Sequence, residues 1–207
     1  MTVSEIKREK GHLARVIFAG GGSILLDLDF CFEKCIHEGD DIPPEKIEEY
    51  VAESDYVRAK SRALWLLDRY NYTERRLLEK LVRTGFGEKA AGRAIARLKE
   101  LGLVDDKNLA GLFAEDLARH GTSKRAAYSK LLAKGFDAQT VKEALDAADF
   151  DEAGQIGALL EGKYARALQA GETDKVYAAL IRKGFSYGAV REALKKYSDE
   201  LKYNEDV

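Results

Sequence analysis

Apolar side chains recur at helical spacing over the back two-thirds of the chain, in three copies of one pattern. Each copy contains a Gly-Phe dipeptide, and the copies are 50 and 49 residues apart: Gly85-Phe86, Gly135-Phe136 and Gly184-Phe185. A leucine precedes each glycine by four residues: Leu81, Leu131 and Leu180. Other apolar residues follow at constant offsets of six and ten: Ala91, Val141, Val190, Ile95, Leu145 and Leu194. The pattern therefore predicts one helical module repeated three times.

The Gly-Phe dipeptides are predicted to be structural. Glycine adopts the left-handed conformation that follows a helix C-terminus at little cost, so each glycine should end a helix. The phenylalanine should then pack back over the turn. Thr73 is predicted to cap the helix that ends at the first of these glycines, by accepting a hydrogen bond from a free amide of its first turn.

Each repeat is predicted to contain three helices. The expected helices are 55–70, 73–84, 88–101, 106–120, 122–134, 137–148, 151–169, 172–183 and 186–199. The buried stripe of the first is expected to comprise Ala63, Leu64, Leu67 and Tyr70, with Trp65 flanking it. The predicted division is an N-terminal region, 1–54, and three repeats, 55–104, 105–149 and 150–207. Because one repeat alone buries little, neighbouring repeats are expected to pack into an elongated, curved, mainly α array of helix-turn-helix-like units.

The N-terminal region is predicted to be a β-hairpin. Two apolar runs, 13–18 and 24–30, are separated by the glycine-rich segment 20–23, which suits a turn between antiparallel strands. A phosphate-binding loop is disfavoured because no Gly-Lys-Ser/Thr follows and the next segment is a strand. Helical periodicity begins near Cys31 and resumes after Pro43-Pro44.

The composition is that of a helix-rich protein with an uneven distribution of charge. The 207 residues are 45% hydrophobic and 34% charged, and no apolar run approaches the roughly 20 residues needed to cross a bilayer. Residues 1–10 are charged and lack an apolar signal core, so a cytoplasmic location and no membrane partner are expected. A monomer is expected because the repeats satisfy one another.

Residues 60–104 are strongly basic in a chain whose net charge is only −2. They carry 11 basic and 5 acidic side chains, whereas residues 1–59 carry 7 basic and 13 acidic ones. A cationic face suggests a polyanionic partner, although a solvated charged surface gives the same count. Salt bridges to Glu74 and Glu79 are a further alternative.

The candidate contact residues are basic side chains on the predicted repeat helices. Arg76, Lys80 and Arg83 share one helix face by their spacing, and Arg93 and Arg97 share another. Arginine offers a planar fork of donors suited to phosphate or carboxylate. The full candidate set is Arg69, Arg75, Arg76, Lys80, Arg83, Lys89, Arg93, Arg97, Lys130, Lys134, Arg182 and Lys183.

No catalytic, cofactor-binding or metal-binding set is predicted. Cys31 and Cys35 are four apart, but no second ligand pair accompanies them and the three histidines are scattered. Asp105-Asp106 could hold Mg²⁺, yet no other acidic ligands are suitably spaced. Capping of the following helix is the preferred interpretation, because acidic side chains favour the positive end of a helix dipole.

Several segments together resemble the RecX family of bacterial recombination regulators over nearly the whole chain. The segments that carry the resemblance are 63–69 with Thr73-Glu74 and Leu81, then 102–106 with Ala110, Gly121 and 131–136. The family's leading hairpin and three tandem three-helix repeats are similar to the predicted layout. The middle repeat is the closest match, although Leu109 stands where an aromatic residue is common.

The resemblance implies a non-enzymatic protein that binds the RecA recombinase filament on DNA and inhibits RecA ATPase and strand exchange in recombination and DNA repair. It supplies no catalytic residues. The alternative is a helical-repeat DNA-binding protein without a recombinase partner, because short three-helix units are also the frame of helix-turn-helix proteins. Its phosphate contacts would give non-specific affinity for DNA.

Overall fold

Helices dominate the structure, a computed structural model that describes residues 1–205, with side chains through residue 199. In this part of the chain a three-stranded antiparallel sheet precedes eleven helices, which confirms the mainly α prediction. The chain forms two units, Met1–Asp105 and a second that begins at Asp106.

The N-terminal sheet has the strand order β1 (Val3–Glu9), β2 (Leu13–Phe18) and β3 (Ser23–Asp27). The predicted hairpin corresponds to β2 and β3, which pair antiparallel. β1 was not predicted, because its sequence is mostly charged and only Val3 is fully buried in it. The strand residues of the core are Val3, Ala14, Val16, Phe18 and Leu26.

The prediction that the second run stays extended to residue 30 is wrong. Asp27 ends β3 and caps helix α1 (Leu28–Glu33). Its Oδ1 accepts hydrogen bonds from the amides of Asp29 and Phe30, at 2.9 and 3.3 Å. These bonds satisfy free amides of the first helical turn, which explains why an apolar run that suits a strand turns into a helix here.

Helix α2 is one continuous element, Pro44–Leu67, over a stretch where the pattern predicted two segments. Its buried positions are Ser54, Ala59, Ala63 and Leu66. The prediction of Ala63 as a buried position is confirmed, but Leu64 and Tyr70 are 41% and 66% exposed. The expected stripe was wrong because packing against β3 and helix α4 (Glu88–Glu100) selects another face, and because the helix ends before Tyr70.

The rest of the first repeat follows the predicted plan. Thr73 precedes helix α3 (Glu74–Arg83), and its Oγ1 accepts a hydrogen bond from the Arg76 amide at 3.2 Å. This confirms the predicted cap. α3 and α4 are joined by the turn that contains Gly85, whose φ is +99°.

The second unit contains seven helices in its described residues. They are α5 (Asp106–Arg119), α6 (Lys124–Lys134), α7 (Ala138–Ala147), α8 (Glu152–Glu161), α9 (Ala165–Gln169), α10 (Thr173–Arg182) and α11 (Tyr187–Glu205). The single helix predicted over 151–169 is wrong, because the chain breaks at Gly162 into α8 and α9.

The three Gly-Phe turns are equivalent in the structure. Gly85, Gly135 and Gly184 have φ values of +99°, +99° and +92°, so the predicted left-handed conformation is confirmed. The leucine four residues before each glycine is fully buried. Phe136 and Phe185 are 3% exposed, whereas Phe86 is only half-buried.

Each repeat encloses an apolar cluster of its own. The clusters of the first, second and third repeats contain Leu81, Leu131 and Leu180 respectively. A fourth cluster contains the buried residues of the N-terminal sheet. Within the second unit, the separate clusters around Leu131 and Leu180 differ from the expectation that neighbouring repeats supply one another's core. Three short helices packed against one another bury enough side chains for a small core.

Candidate nucleic-acid interface

Most of the basic candidate residues lie on two neighbouring helices of the first repeat. α3 carries Arg75, Arg76, Lys80 and Arg83, and α4 carries Lys89, Arg93 and Arg97. Leu77 and Leu81 of α3 are fully buried, so the basic side chains occupy the remaining faces of that helix. The helices thus bring these seven residues into one part of the first unit.

Two of the arginines on α3 share one acidic partner. Arg75 Nε lies 3.0 Å from Glu79 Oε1, and an Arg76 terminal nitrogen lies 2.8 Å from Glu79 Oε2. Hydrogen bonds first from Arg75 and then from Arg76 hold the pKa of the Glu79 carboxyl below its usual range. The predicted salt bridge to Glu79 is therefore present, and it reduces the positive charge that this pair offers to a ligand.

The two arginines on α4 also have acidic partners. Arg93 lies 2.7 Å from Glu53 of α2, with its guanidinium 4.7 Å from the centre of the Tyr56 ring. Arg97 lies 2.7 Å from Glu100. Exposed pairs of this kind contribute only about 0–1 kcal/mol each, so they shape the surface more than they stabilise the fold.

Three basic side chains around the α3–α4 turn have no acidic partner among the side chains of residues 1–199. They are Lys80, Arg83 and Lys89. Arg83 is the last residue of α3 and Lys89 the second of α4, so only the short turn around Gly85 separates them. We call these three residues the turn cluster. Its charge is not offset by an ion pair within the described side chains and stays available to a ligand.

A second cationic feature lies at the C-terminal end of α2 and includes a residue that sequence reasoning missed. Arg62 and Arg69 place their guanidinium groups 4.2 and 3.9 Å from the centre of the Trp65 ring. Arg69 also donates a hydrogen bond to the Trp65 carbonyl oxygen at 3.3 Å. Arg62 and Trp65 are three residues apart and share one face of α2, and Arg69 lies just beyond the last residue of the helix, Leu67. That spacing was the signal that could have revealed Arg62.

The four candidates in the second unit do not form one patch. Lys130 Nζ donates to Thr122 Oγ1 at 3.4 Å, and Lys134 Nζ lies 4.2 Å from the centre of the Phe113 ring. Lys183 adjoins the opposite, N-terminal end of α6, since its carbonyl accepts a hydrogen bond from Ser123. The 11 residues of α6 span about 16 Å, so Lys134 and Lys183 are well separated. Arg182 is the exposed last residue of α10.

One possible metal-binding group was not expected from the sequence. His12, Asp27 and Asp29 lie together, and His12 Nε2 is 3.0 Å from Asp29 Oδ1. The pairing of β2 with β3 brings these residues together, and no spacing in the sequence shows it. Asp27 already serves as the cap of α1, so its carboxylate has a structural role.

The cysteines and the acidic pair have structural positions. Cys31 is buried and Cys35 exposed, and both are free thiols. Burial, and secondly the charge of Asp27, raise the pKa of the Cys31 thiol to about 11, which keeps it protonated and unreactive. Asp106 is the first residue of α5, where a negative charge is favourable.

Comparison with known proteins identifies several similar sequences. A regulatory protein RecX from Caldanaerobacter subterraneus subsp. tengcongensis is 34% identical over 141 residues, which are 68% of this chain and 72% of that protein. A regulatory protein RecX from Clostridium botulinum (strain Alaska E43 / Type E3) is 27% identical over 208 residues, covering 94% and 95% of the two chains. No family model matches the sequence.

Two solved structures share the fold. A crystal structure of a regulatory protein RecX superposes with a TM-score of 0.69 at 18% identity, covering 94% of this chain and 98% of that one. The crystal structure of RecX from Lactobacillus salivarius gives a TM-score of 0.63 at 21% identity, covering 70% and 97%. At these identities the likeness concerns the fold alone.

The fold consists of helical repeats behind a small sheet, as in the solved RecX structure. Together with the bacterial relatives that are named regulatory proteins, it identifies the class of this chain as regulatory proteins. The chain belongs to the RecX family. None of its helices in the described residues combines the length and the apolar character needed to span a bilayer.

Proposed function

We propose that this protein binds the RecA–DNA filament and inhibits RecA ATPase and strand exchange in recombination and DNA repair. The observation that carries the proposal is membership of a family whose relatives are named regulatory proteins RecX. We propose further that it acts in the cytoplasm as a monomer and needs no cofactor.

The turn cluster is the proposed filament contact of the first repeat. Lys80, Arg83 and Lys89 have no acidic partner among the described side chains, so a partner's acidic groups or the DNA phosphates would meet uncompensated charge. Arg75 and Arg76 already form ion pairs with Glu79 and would have to break them to bind an acidic group of the filament. The remaining predicted candidates, including Lys130, Arg182 and the other basic residues of the second unit, belong to this proposal as secondary contacts.

Repetition within one chain supports regulation at low protein concentration. Contacts made by linked repeats act at a high effective concentration once the first is formed, so modest local affinities combine into firm binding. A protein held at more than one RecA protomer would hinder the protomer movements that accompany ATP turnover. Inhibition at less than one molecule per protomer follows from this arrangement.

The proposal is tested by RecA's ATP hydrolysis on single-stranded DNA with increasing amounts of this protein. We expect the hydrolysis rate to fall at substoichiometric amounts, together with filament length in electron micrographs. If neither quantity changes, RecA is not the target. A variant with an unfolded core, such as Leu81→Asp, serves as the inactive control.

The two arginines at Trp65 also favour a second candidate, a DNA-binding protein without a recombinase partner. A salt series distinguishes the two, because affinity that rests on phosphate contacts falls steeply with salt. Binding to bare DNA and to preformed RecA filaments would be compared at each salt concentration. Preference for the filament supports the leading proposal, and equal affinity supports the second candidate.

A further inference from the structure

The only tryptophan of the chain lies on the surface of α2, between two arginines. Trp65 is 45% exposed, although tryptophan is usually well buried. Arg62 and Arg69 have no acidic partner among the side chains of residues 1–199, so their charge is not compensated. At these short distances from the ring centre both guanidinium groups lie over the indole ring, so a flat ligand reaches the ring by displacing one of them, and the displaced positive charge stays beside the ligand.

A cleft of about 560 Å³ adjoins the tryptophan. Its apolar lining comes from Leu64, Leu67 and Leu103, of which Leu64 and Leu103 are 41% and 51% exposed. Asp68 and Asn71 contribute polar groups to the same cleft. The cleft thus combines apolar walls with hydrogen-bonding groups, and the negative charge of Asp68 makes it unsuitable for a phosphate.

The features of this surface correspond to the parts of a single-stranded nucleic acid. A free base has an apolar face that stacks on an aromatic ring, and polar edges that hydrogen-bond. The phosphates on either side carry the negative charge that arginine forks bind. Duplex DNA keeps its bases stacked inside and offers only phosphates, so it would leave the indole face unused.

We propose that Trp65 and the flanking Arg62 and Arg69 form a stacking site for an unpaired base of single-stranded nucleic acid. The base takes the place of a guanidinium group on the indole, the two arginines bind the adjoining phosphates, and the cleft beside Leu64 accepts the next base. The site extends the proposed function, since RecA filaments contain a single strand. The stacking site does not require RecA. Its test can therefore fail while the filament proposal stands, and the filament proposal can fail while the stacking site is confirmed.

Tryptophan fluorescence tests the stacking contact directly, because Trp65 is the sole reporter in the chain. The full-length protein would be titrated with oligo(dT), with a duplex of equal length and with an abasic oligonucleotide that has the same number of phosphates. We expect saturable quenching by oligo(dT) and little by the other two. Equal quenching by the abasic strand, or none by oligo(dT), would overturn the proposal. This measurement needs no variant.

Variants then separate stacking from charge, with binding measured by the anisotropy of labelled oligo(dT). Base stacking on an aromatic side chain is large enough that Trp65→Ala should weaken binding by about 5-fold to 150-fold. Replacing Arg62 and Arg69 by Gln should reduce the slope of log affinity against log salt by roughly 1.4, as expected for two lost contacts to a single strand. Tyr187→Ala, at an aromatic residue that is 65% exposed in the second unit, is the matched control and should have no effect.

An acidic protein partner is the competing occupant of this surface. Poly-glutamate at the same concentration of charge would be used as the probe. Quenching by poly-glutamate with none by oligo(dT) would assign the surface to such a partner and overturn the nucleic-acid site. Unchanged affinity of Trp65→Ala for oligo(dT), with helical content intact by circular dichroism, would also overturn it.

Discussion

Ser123 Oγ donates a hydrogen bond of 2.7 Å to the carbonyl oxygen of Lys183, 60 residues further along the chain. The same oxygen accepts a hydrogen bond from the Ala126 amide at 3.3 Å and so caps α6. Ser123 is 2% exposed. One hydroxyl therefore begins a helix of the second repeat and satisfies the C-terminal end of a helix in the third, which joins the two repeats within their unit.

Ser123→Ala should destabilise the protein by about 1–3 kcal/mol. The change removes a helix cap, which costs about 0.5–2 kcal/mol, and the hydrogen bond to the Lys183 carbonyl, which costs about 0.5–1.5 kcal/mol. Urea denaturation followed by circular dichroism measures the change in free energy of unfolding. Ser129→Ala is the matched control, because Ser129 is exposed and makes only a 3.4 Å bond to the Arg125 carbonyl. An equal effect of the two substitutions would contradict the dual role.

Gly184→Ala should cost more stability than the same substitution at the equivalent Gly85. Both glycines have positive φ, which costs an alanine roughly 1–2 kcal/mol. A Cβ at Gly184 would also lie 2.7 Å from Ser123 Oγ, whereas at Gly85 it would meet open space. Overpacking therefore adds about 1–3 kcal/mol at Gly184 and nothing at Gly85. Thermal unfolding of the two variants tests the order, and equal losses would show that the close approach to Ser123 is unimportant.

Leu131→Ala should lower the free energy of unfolding by about 2–5 kcal/mol, since it removes a large side chain from the centre of the second repeat's core. Leu131 is fully buried, while its neighbour Leu132 is 37% exposed. Leu132→Ala is therefore the control, with an expected loss under about 1 kcal/mol. Denaturant titration of both variants measures the difference. A small loss for Leu131→Ala would mean that the repeat core is arranged differently.

Removing the charges of the turn cluster should weaken binding to RecA filaments without changing helical content. The variant replaces Lys80, Arg83 and Lys89 by alanine. Replacing Arg75 and Arg76 should weaken binding less, because Glu79 already neutralises part of their charge. Co-sedimentation with preformed filaments measures the affinity, and circular dichroism checks the fold.

A charge-matched control tests whether position matters for this binding. It replaces three lysines that have acidic partners: Lys7, Lys107 and Lys175. Both triple variants lose three positive charges, so general electrostatic attraction falls equally. Equal binding by the two variants would show that the turn cluster is only part of a solvated surface.

Only one of the two thiols should react in the folded protein. Cys35 is exposed, whereas Cys31 is buried and has a pKa raised to about 11 by burial. Because the thiolate is the reactive form, Cys31 should stay unmodified at mildly alkaline pH. Iodoacetamide labelling followed by mass spectrometry should show one adduct on the native protein and two after denaturation. Two adducts on the native protein would show that the N-terminal core opens readily.

The repeat pattern could be predicted because its signals are local. The left-handed glycines such as Gly85, the cap at Thr73 and the buried leucines such as Leu131 depend on residues within one turn of a helix. The continuation of 24–30 as a strand was predicted wrongly, because the cap at Asp27 competes with an apolar run that suits either structure. β1 was missed since its charged residues give little alternation.

The sequence by itself determined the helical repeats, the turns between them and the excess of positive charge in residues 60–104, because these follow from residue type and short-range spacing. Only the tertiary structure decided which of those charges remain available. Glu53 reaches Arg93 from α2 across 40 residues, and Glu79 serves two arginines at once. It also decided that Trp65 lies on the surface, since the buried face of α2 is chosen by what packs against it. Ion pairing and burial depend on distances between elements, which no local pattern encodes.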